Sequence, residues 1–430
     1  MALSGWTVLL LALGVVPLVA LDDARVLPAW LALVAVLVVL DLVLAASPRT
    51  VRLVRELPGP VRLGESTTAR VRLVHEGRRR LRAVVRDAWE PSAGATGTRR
   101  RVTVRPGGGV ALTTALTPFR RGVRRADAVT VRAWGPLRLA ARQATHELPG
   151  TVTVLPRFSS RRHLPSRLAR LRELDGRTSV QVRGRGTEFD SLREYVRGDD
   201  VRSLDWRATA RRGDLVVRTW RPERDRRVVV VVDSGRTSAA RVGDEPRLDT
   251  AFEASLLLAA LASRAGDHVD LVVTDSRVRG RVQGVGAAGL LGALVETMAP
   301  IDPELVETDW SLVPGLVRRA TTQRSLVVLA TPVGSPGSVR GLLAALPQLT
   351  RRHLVVVAAV TDPGLDEAAL ERGDASAVHR AAAAERERLD AARVAAAVRQ
   401  LGADVVTGSP EALPPALADH YLALKAAGRL

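Results

Sequence analysis

At 430 residues the chain is long enough for two or three domains, each with a core of its own. The absence of cysteine excludes disulfides, thiolate nucleophiles and cysteine-ligated zinc or iron–sulfur centres. The formal net charge of +19 is carried almost wholly by arginine, Lys425 being the one lysine, and with aromatic residues at 3% the composition argues against a nucleic-acid binder built on base stacking.

Two apolar runs come first, at about 6–21 and 26–46, separated by a short loop with Asp22, Asp23 and Arg25. Their lengths predict a transmembrane helix hairpin over residues 1–48. Arg49, Arg52 and Arg55 follow the second run at once, while the loop has one arginine against two aspartates. The positive-inside rule then predicts a multi-pass cell-membrane protein, two helices deep, with its soluble domains in the cytoplasm. Residues 51–227 hold 41 basic and 18 acidic residues. A basic block over 49–227 that begins at a bilayer surface is expected to attract anionic membrane lipids, which explains the charge without a nucleic acid.

From 49 to 157 apolar residues alternate with arginine in seven or eight short segments broken by glycine and proline, as in "TARVRLVHE" and "LRAVVRDAW". This pattern predicts a β-sandwich of immunoglobulin-like type. Residues 158–226 read as a connector that opens with a basic amphipathic helix in "SSRRHLPSRLARLREL". At 227 the period changes. "RVVVVVD" is a continuous apolar run typical of a strand buried on both faces, and strands then alternate with helices to residue 430. Residues 227–430 are therefore predicted to form a doubly wound α/β domain, its ligand edge at the strand ends Asp233, Asp275, Thr331 and Asp362.

Few motifs carry chemistry. The seven histidines lack the spacing of a helical metal site, and a Walker A loop is excluded because its phosphate lysine has no candidate near a glycine-rich turn. Gly284–Gly289, "GVGAAG", lacks the spacing of a dinucleotide loop. One candidate remains in "VVVVVDSGRTS", residues 228–238, where an aspartate ends the first buried strand and hydroxyl residues follow. Such oxygens suit Mg²⁺. The stretch resembles the metal-ion-dependent adhesion site of von Willebrand factor type A domains: Asp233 and Thr237 match, Gly235 stands in place of a serine, and Thr308 or Asp309 is the candidate for the second loop.

Residues 183–220 resemble the signature of the bacterial domain of unknown function 58 family, in "RGRGTEF", "LREYVRGDDVRSLDWRATAR" and "GDLVVRTW". The resemblance implies a membrane-attached protein with a type A-like C-terminal domain that works beside a MoxR-type AAA+ ATPase as an assembly factor. It implies no reaction. The motif residues Glu188, Phe189, Arg193, Tyr195, Gly198, Asp199, Asp200, Arg202, Asp205, Trp206 and Arg207 have two readings. In one, an Arg–Asp lattice and a buried tryptophan clamp the connector onto the α/β domain, with Asp199 or Asp200 capping a short helix and "GDLVVRTW" running beside its first strand. In the other, the motif is a docking surface with Glu188, Asp199, Asp200 and Asp205 as its exposed charges. The function expected is a non-enzymatic membrane scaffold; the alternatives are a metal-dependent adhesion module and, behind it, an envelope hydrolase.

Overall fold

Pro17 divides the first apolar run in the computed structural model, which describes residues 1–21, 23–181, 188–196, 201–221 and 226–430. A proline cannot donate to the carbonyl four residues back and its ring collides with it, so helicity fails near Leu13. The run forms α1 (Gly5–Leu13) and α2 (Val15–Leu21), nine and seven residues long. The second run forms α3 (Val26–Leu44), 19 residues with a mean hydropathy of 2.6. Among the described residues α3 is the one helix long and apolar enough to cross a membrane. The expected two-span, multi-pass topology is corrected accordingly: each piece of the first run falls well short of the roughly 20 residues a bilayer core requires.

The chain divides into two compact units, Met1–Leu155 and Pro156–Leu430. In the first, seven main strands follow α3: β1 (Val51–Glu56), β2 (Thr67–His75), β3 (Leu81–Trp89), β4 (Arg99–Val104), β5 (Gly109–Leu116), β6 (Gly122–Trp134) and β7 (Ala140–Leu155). They build two sheets, β7-β6-β3-β4 and β1-β2-β5, with antiparallel pairing between these strands. Alternation decides the faces. On β2, Ala69, Val71 and Leu73 are buried while Arg70 and Arg72 are exposed. Val71 and Leu73 join Leu81, Val85, Val129 and Val131 of the other sheet in one apolar cluster, and Ala69 joins Leu116, Val152 and Val154 in a second. A charged group is built into this unit: Asp87 takes hydrogen bonds from Arg55 (2.8 Å), Trp89 Nε1 (2.7 Å) and Thr114 (3.1 Å). Hydrogen bonds on this scale offset the cost of taking a carboxyl group out of water.

The second unit opens with α4 (Leu164–Gln181), followed by β8 (Glu188–Glu194), α5 (Trp206–Arg212) and β9 (Val216–Arg221). Then come β10 (Arg227–Asp233), α6 (Arg247–Arg264), β11 (His268–Thr274), β12 (Val278–Val282), α7 (Ala287–Met298), α8 (Val313–Ala320), β13 (Leu326–Ala330), α9 (Arg340–Thr350), β14 (Leu354–Val360), α10 (Pro363–Ala368), α11 (Ala375–Gln400), β15 (Asp404–Gly408) and α12 (Leu413–Ala426). The last six strands form one sheet in the order β12-β11-β10-β13-β14-β15, parallel throughout except for the edge strand β12. Val228–Val232 are at most 1% exposed because helices cover both faces. Val229 and Val231 pack with α8, α9 and α11, while α6 contacts the sheet from the other side with α7 and α12 around it. The α/β architecture inferred from the period change is present.

Candidate functional site

The strand order places β10 beside β13, so the chain leaves these neighbours in opposite directions and a crevice opens at their carboxyl ends. Asp233 ends β10 and is 2% exposed. Its Oδ1 accepts from the Gly235 amide at 2.8 Å and from the Thr308 hydroxyl; its Oδ2 accepts from Thr331 at 2.7 Å and from Thr237 at 3.4 Å. Thr308 arrives on the 302–309 loop, which is stitched to the strand ends by Glu304 N to Ser234 O (2.9 Å) and Arg236 N to Val306 O (2.8 Å). The same four acidic and hydroxyl residues line a small pocket of about 10 Å³ with Trp310 and Leu342 at its wall. That is room for about one water molecule and far below the usual range for small-molecule sites, roughly 300–1,000 Å³.

Gly235 is required by space. A Cβ there would meet Val306 O at 2.9 Å and Asp233 Oδ1 at 3.1 Å, with the Thr308 hydroxyl closer still. The second-loop threonine fills the place that a serine at 235 would need. Asp309, the other candidate for that loop, does not reach Asp233. It is exposed, and its Oδ1 holds the Ser311 amide (3.0 Å) and hydroxyl (2.6 Å) in a local turn.

Does this set fit Mg²⁺? A carboxylate offers about four lone-pair directions, and Asp233 has four donors. Among the described residues no group of three or more His, Cys, Asp or Glu side chains converges anywhere. The set as built is a satisfied hydrogen-bond centre with a single negative charge and no oxygen of Asp233 to spare. It does not fit a divalent ion. Beside it, Asp275 is fully buried and bonded to Arg279 (2.8 Å), the Arg277 amide (3.1 Å) and Ser234 (3.2 Å). Burial pushes its pKa up, but the Arg279 bond and the two weaker donors outweigh that and hold the carboxyl below its usual value.

The signature residues form a separate small module. β8 and β9 pair with each other in a two-stranded antiparallel sheet, so "GDLVVRTW" does not run beside the first strand of the large sheet as expected. Asp205 caps α5, its Oδ1 accepting from the Arg207 and Ala208 amides at 3.0 Å each, and its Oδ2 binds Arg218 at 2.8 Å. These bonds, the Ala208 amide first and the Arg218 guanidinium next, lower its pKa. The expected partner-facing carboxylate is therefore engaged within its own module. Trp206 is 68% exposed, against the buried clamp residue expected. Val196, Val201 and Leu215 of the same module are exposed as well, a feature that no sequence motif announced. Arg207 is exposed, Arg193 and Tyr195 are half-buried, and Arg193 donates to Glu194 O at 3.0 Å. Glu188 and Phe189 lie on β8 opposite Arg221 and Trp220, and Arg202 lies in a 3₁₀ turn. Gly198, Asp199 and Asp200 fall outside the described residues.

Both the Asp233 crevice and most of this module lie in a segment with known relatives. Residues 191–402 match the family described as protein of unknown function DUF58; a DUF58 domain occupies them. Uncharacterized proteins of Mycobacterium bovis and Mycobacterium tuberculosis are 26% identical over 184 residues, 42% of this chain and 57% of theirs. The chain thus spans little more than half the length of these curated relatives. Among solved structures, PapD-like domain 7 of human CEP192 covers 24% of this chain and 83% of its own, with 12% identity and a TM-score of 0.17. A FixG-related protein from Vibrio parahaemolyticus covers 24% and 94%, with 9% identity and a TM-score of 0.18. Overlap at that level establishes no fold.

Proposed function

We propose that the protein is a non-enzymatic scaffold tethered through α3, whose DUF58 segment docks a protein partner at the Trp206 module. The observation that carries this reading is the exposure of Trp206, at 68%, with Val196, Val201 and Leu215 on one small structural element. Large apolar side chains left in water cost solubility, and tryptophan is the residue most enriched among the few that dominate binding energy at interfaces. The partner class is the MoxR-type AAA+ ATPase implied by the family resemblance. The sheet order, with its third strand antiparallel at the edge, supports reading the α/β unit as von Willebrand factor type A-like, and the two antiparallel sheets support an immunoglobulin-like sandwich before it. The satisfied Asp233 centre speaks for a structural use of that edge and against both the adhesion-type and the hydrolytic alternatives.

The test is affinity capture of the full chain from native membranes with ATPases held in a nucleotide-trapped state, read by mass spectrometry. Wild type is expected to recover an AAA+ ATPase and Trp206→Ala to lose it with unchanged melting behaviour. Equal capture by both would remove the module from the docking role, and capture of no ATPase by wild type would overturn the partner.

A further inference from the structure

The loop 135–140 in the first unit is held by a carboxylate from α3. Asp41, fully buried in the last turn of that helix, accepts from the amides of Leu137 (2.7 Å), Leu139 (2.8 Å) and Ala140 (2.9 Å). The one amide it leaves in this run, Arg138 N, donates to Gly135 O at 3.2 Å. From the other side, Leu139 O accepts from Ser4 N (2.9 Å) and the Thr7 hydroxyl (2.5 Å). Both apolar arms are thus fastened to one tight turn, and Gly135 leaves the room that Asp41 occupies.

Within this clasp sits the one non-glycine residue with a positive φ among the described residues, Arg138, at 59°. An L-residue adopts that conformation only where its surroundings impose it, and such outliers concentrate at functional positions. Asp41 imposes it here by gripping the amides on both sides. The consequence is directional. Arg138 is exposed and its guanidinium has no ion pair among the described residues, while Leu137 beside it is 48% exposed. The turn is level with the end of the apolar helix, where Val43 O accepts from Arg79, another exposed arginine flanked by Arg78 and Arg80.

An apolar helix with exposed arginines near its end is suited to meet phosphate headgroups, and guanidinium binds phosphate in a paired geometry that a flexible lysine does not reproduce. We propose that the 135–140 turn is a binding site for the headgroup of an anionic phospholipid, with Arg138 on the phosphate and Leu137 in the acyl region beside it. This rests on the reading that α3 enters a bilayer, and it adds the residue and the lipid class. The strain at Arg138 is retained because glycine, which would relieve it, has no charge to offer.

The experiment compares the full chain in nanodiscs of phosphatidylcholine and in nanodiscs with about a third phosphatidylglycerol. Wild type is expected to melt about 2–4 °C higher in the anionic discs. Arg138→Gly is expected to melt higher than wild type in phosphatidylcholine, because the strain is gone, yet to lose at least half of the anionic increment. Arg138→Lys is expected to keep the charge but recover only part of the increment. Inorganic phosphate added to phosphatidylcholine discs should change nothing. The proposal is overturned by an undiminished increment in Arg138→Gly, by no increment in wild type, or by an equal effect of free phosphate. If the chain enters neither kind of disc, the membrane reading falls and this inference with it.

Discussion

The Asp233 crevice and the Trp206 module lie in the same DUF58 segment and make opposite use of their side chains. At the crevice a motif that promises chemistry is turned inward: one carboxylate, three threonine hydroxyls and a backbone amide satisfy one another in a site 2% exposed at its centre. At the module a stretch rich in charge has its aspartate engaged in a cap and an ion pair, and leaves a tryptophan and three aliphatic side chains in water. Polar density thus marks the part that holds itself together. Under the docking role proposed above, apolar exposure marks the part available to a partner.

The comparison breaks most directly at Asp233. Asp233→Ala leaves three hydroxyls and the Gly235 amide without their acceptor, which should destabilise the unit by about 3 kcal/mol in urea unfolding. A loss under about 0.5 kcal/mol would mean that the crevice is not structural. Gly235→Ser comes next. If glycine were merely a missing ligand, serine would restore a metal loop; if the backbone of Val306 and the Thr308 hydroxyl fill the space, serine should cost about 1–3 kcal/mol and give no response to Mg²⁺. On the other side, Trp206→Ala should weaken partner capture about 30-fold, or about 2 kcal/mol, while stability stays within about 0.5 kcal/mol.

How far these features could be read in advance depends on their physical range. The period change at 227 announced the α/β unit because a strand buried on both faces must be continuously apolar, and Val228–Val232 are. The alternation of β2 and β3 was equally visible, since one face of each strand is inside and the other is arginine. Helix length at the N-terminus does not follow from apolar content alone, because Pro17 interrupts the backbone bond that length depends on. The pairing of "GDLVVRTW" with β8 was not legible, as strand partners are chosen by tertiary contacts that an apolar segment does not encode by itself. Thr331 was named as a strand end, but its bond to Asp233 follows from the adjacency of β10 and β13, known only from the sheet order. Exposure of Trp206 ran against the ordinary expectation for tryptophan, and a residue that departs from that expectation is informative for that reason.

Acid separates the two regions by a smaller effect. The carboxyls of Asp205 and Asp275 both have folded pKa values below their ordinary ones. A depressed folded pKa contributes stability that is present above the unfolded value, about 3.9, and is lost as the pH falls through the folded value. The stability contributed by these two carboxylates should therefore be complete above about pH 4 and be lost only below it, read as an acid limb in tryptophan fluorescence. Asp205→Asn, which retains a capping side chain but no charge, should flatten the part contributed by the module and leave the Asp275 part in place.

The smallest expected effect is none. An ion that binds the folded chain alone stabilises it by RT ln(1 + [L]/Kd), so a site with a Kd of about 0.1 mM would add about 2.7 kcal/mol in about 10 mM Mg²⁺. That is readily seen as a thermal shift. With all four lone-pair directions of Asp233 in use, Mg²⁺ should leave the melting temperature where chelator does, because entry of the ion would require Thr308 and Thr331 to give up bonds that hold two loops to the sheet. A shift that Asp233→Asn abolishes would show that the hydroxyls turn their own lone pairs to an ion. The crevice would then join the module as a ligand-facing surface, and the contrast between the two would be one of ligand rather than of exposure.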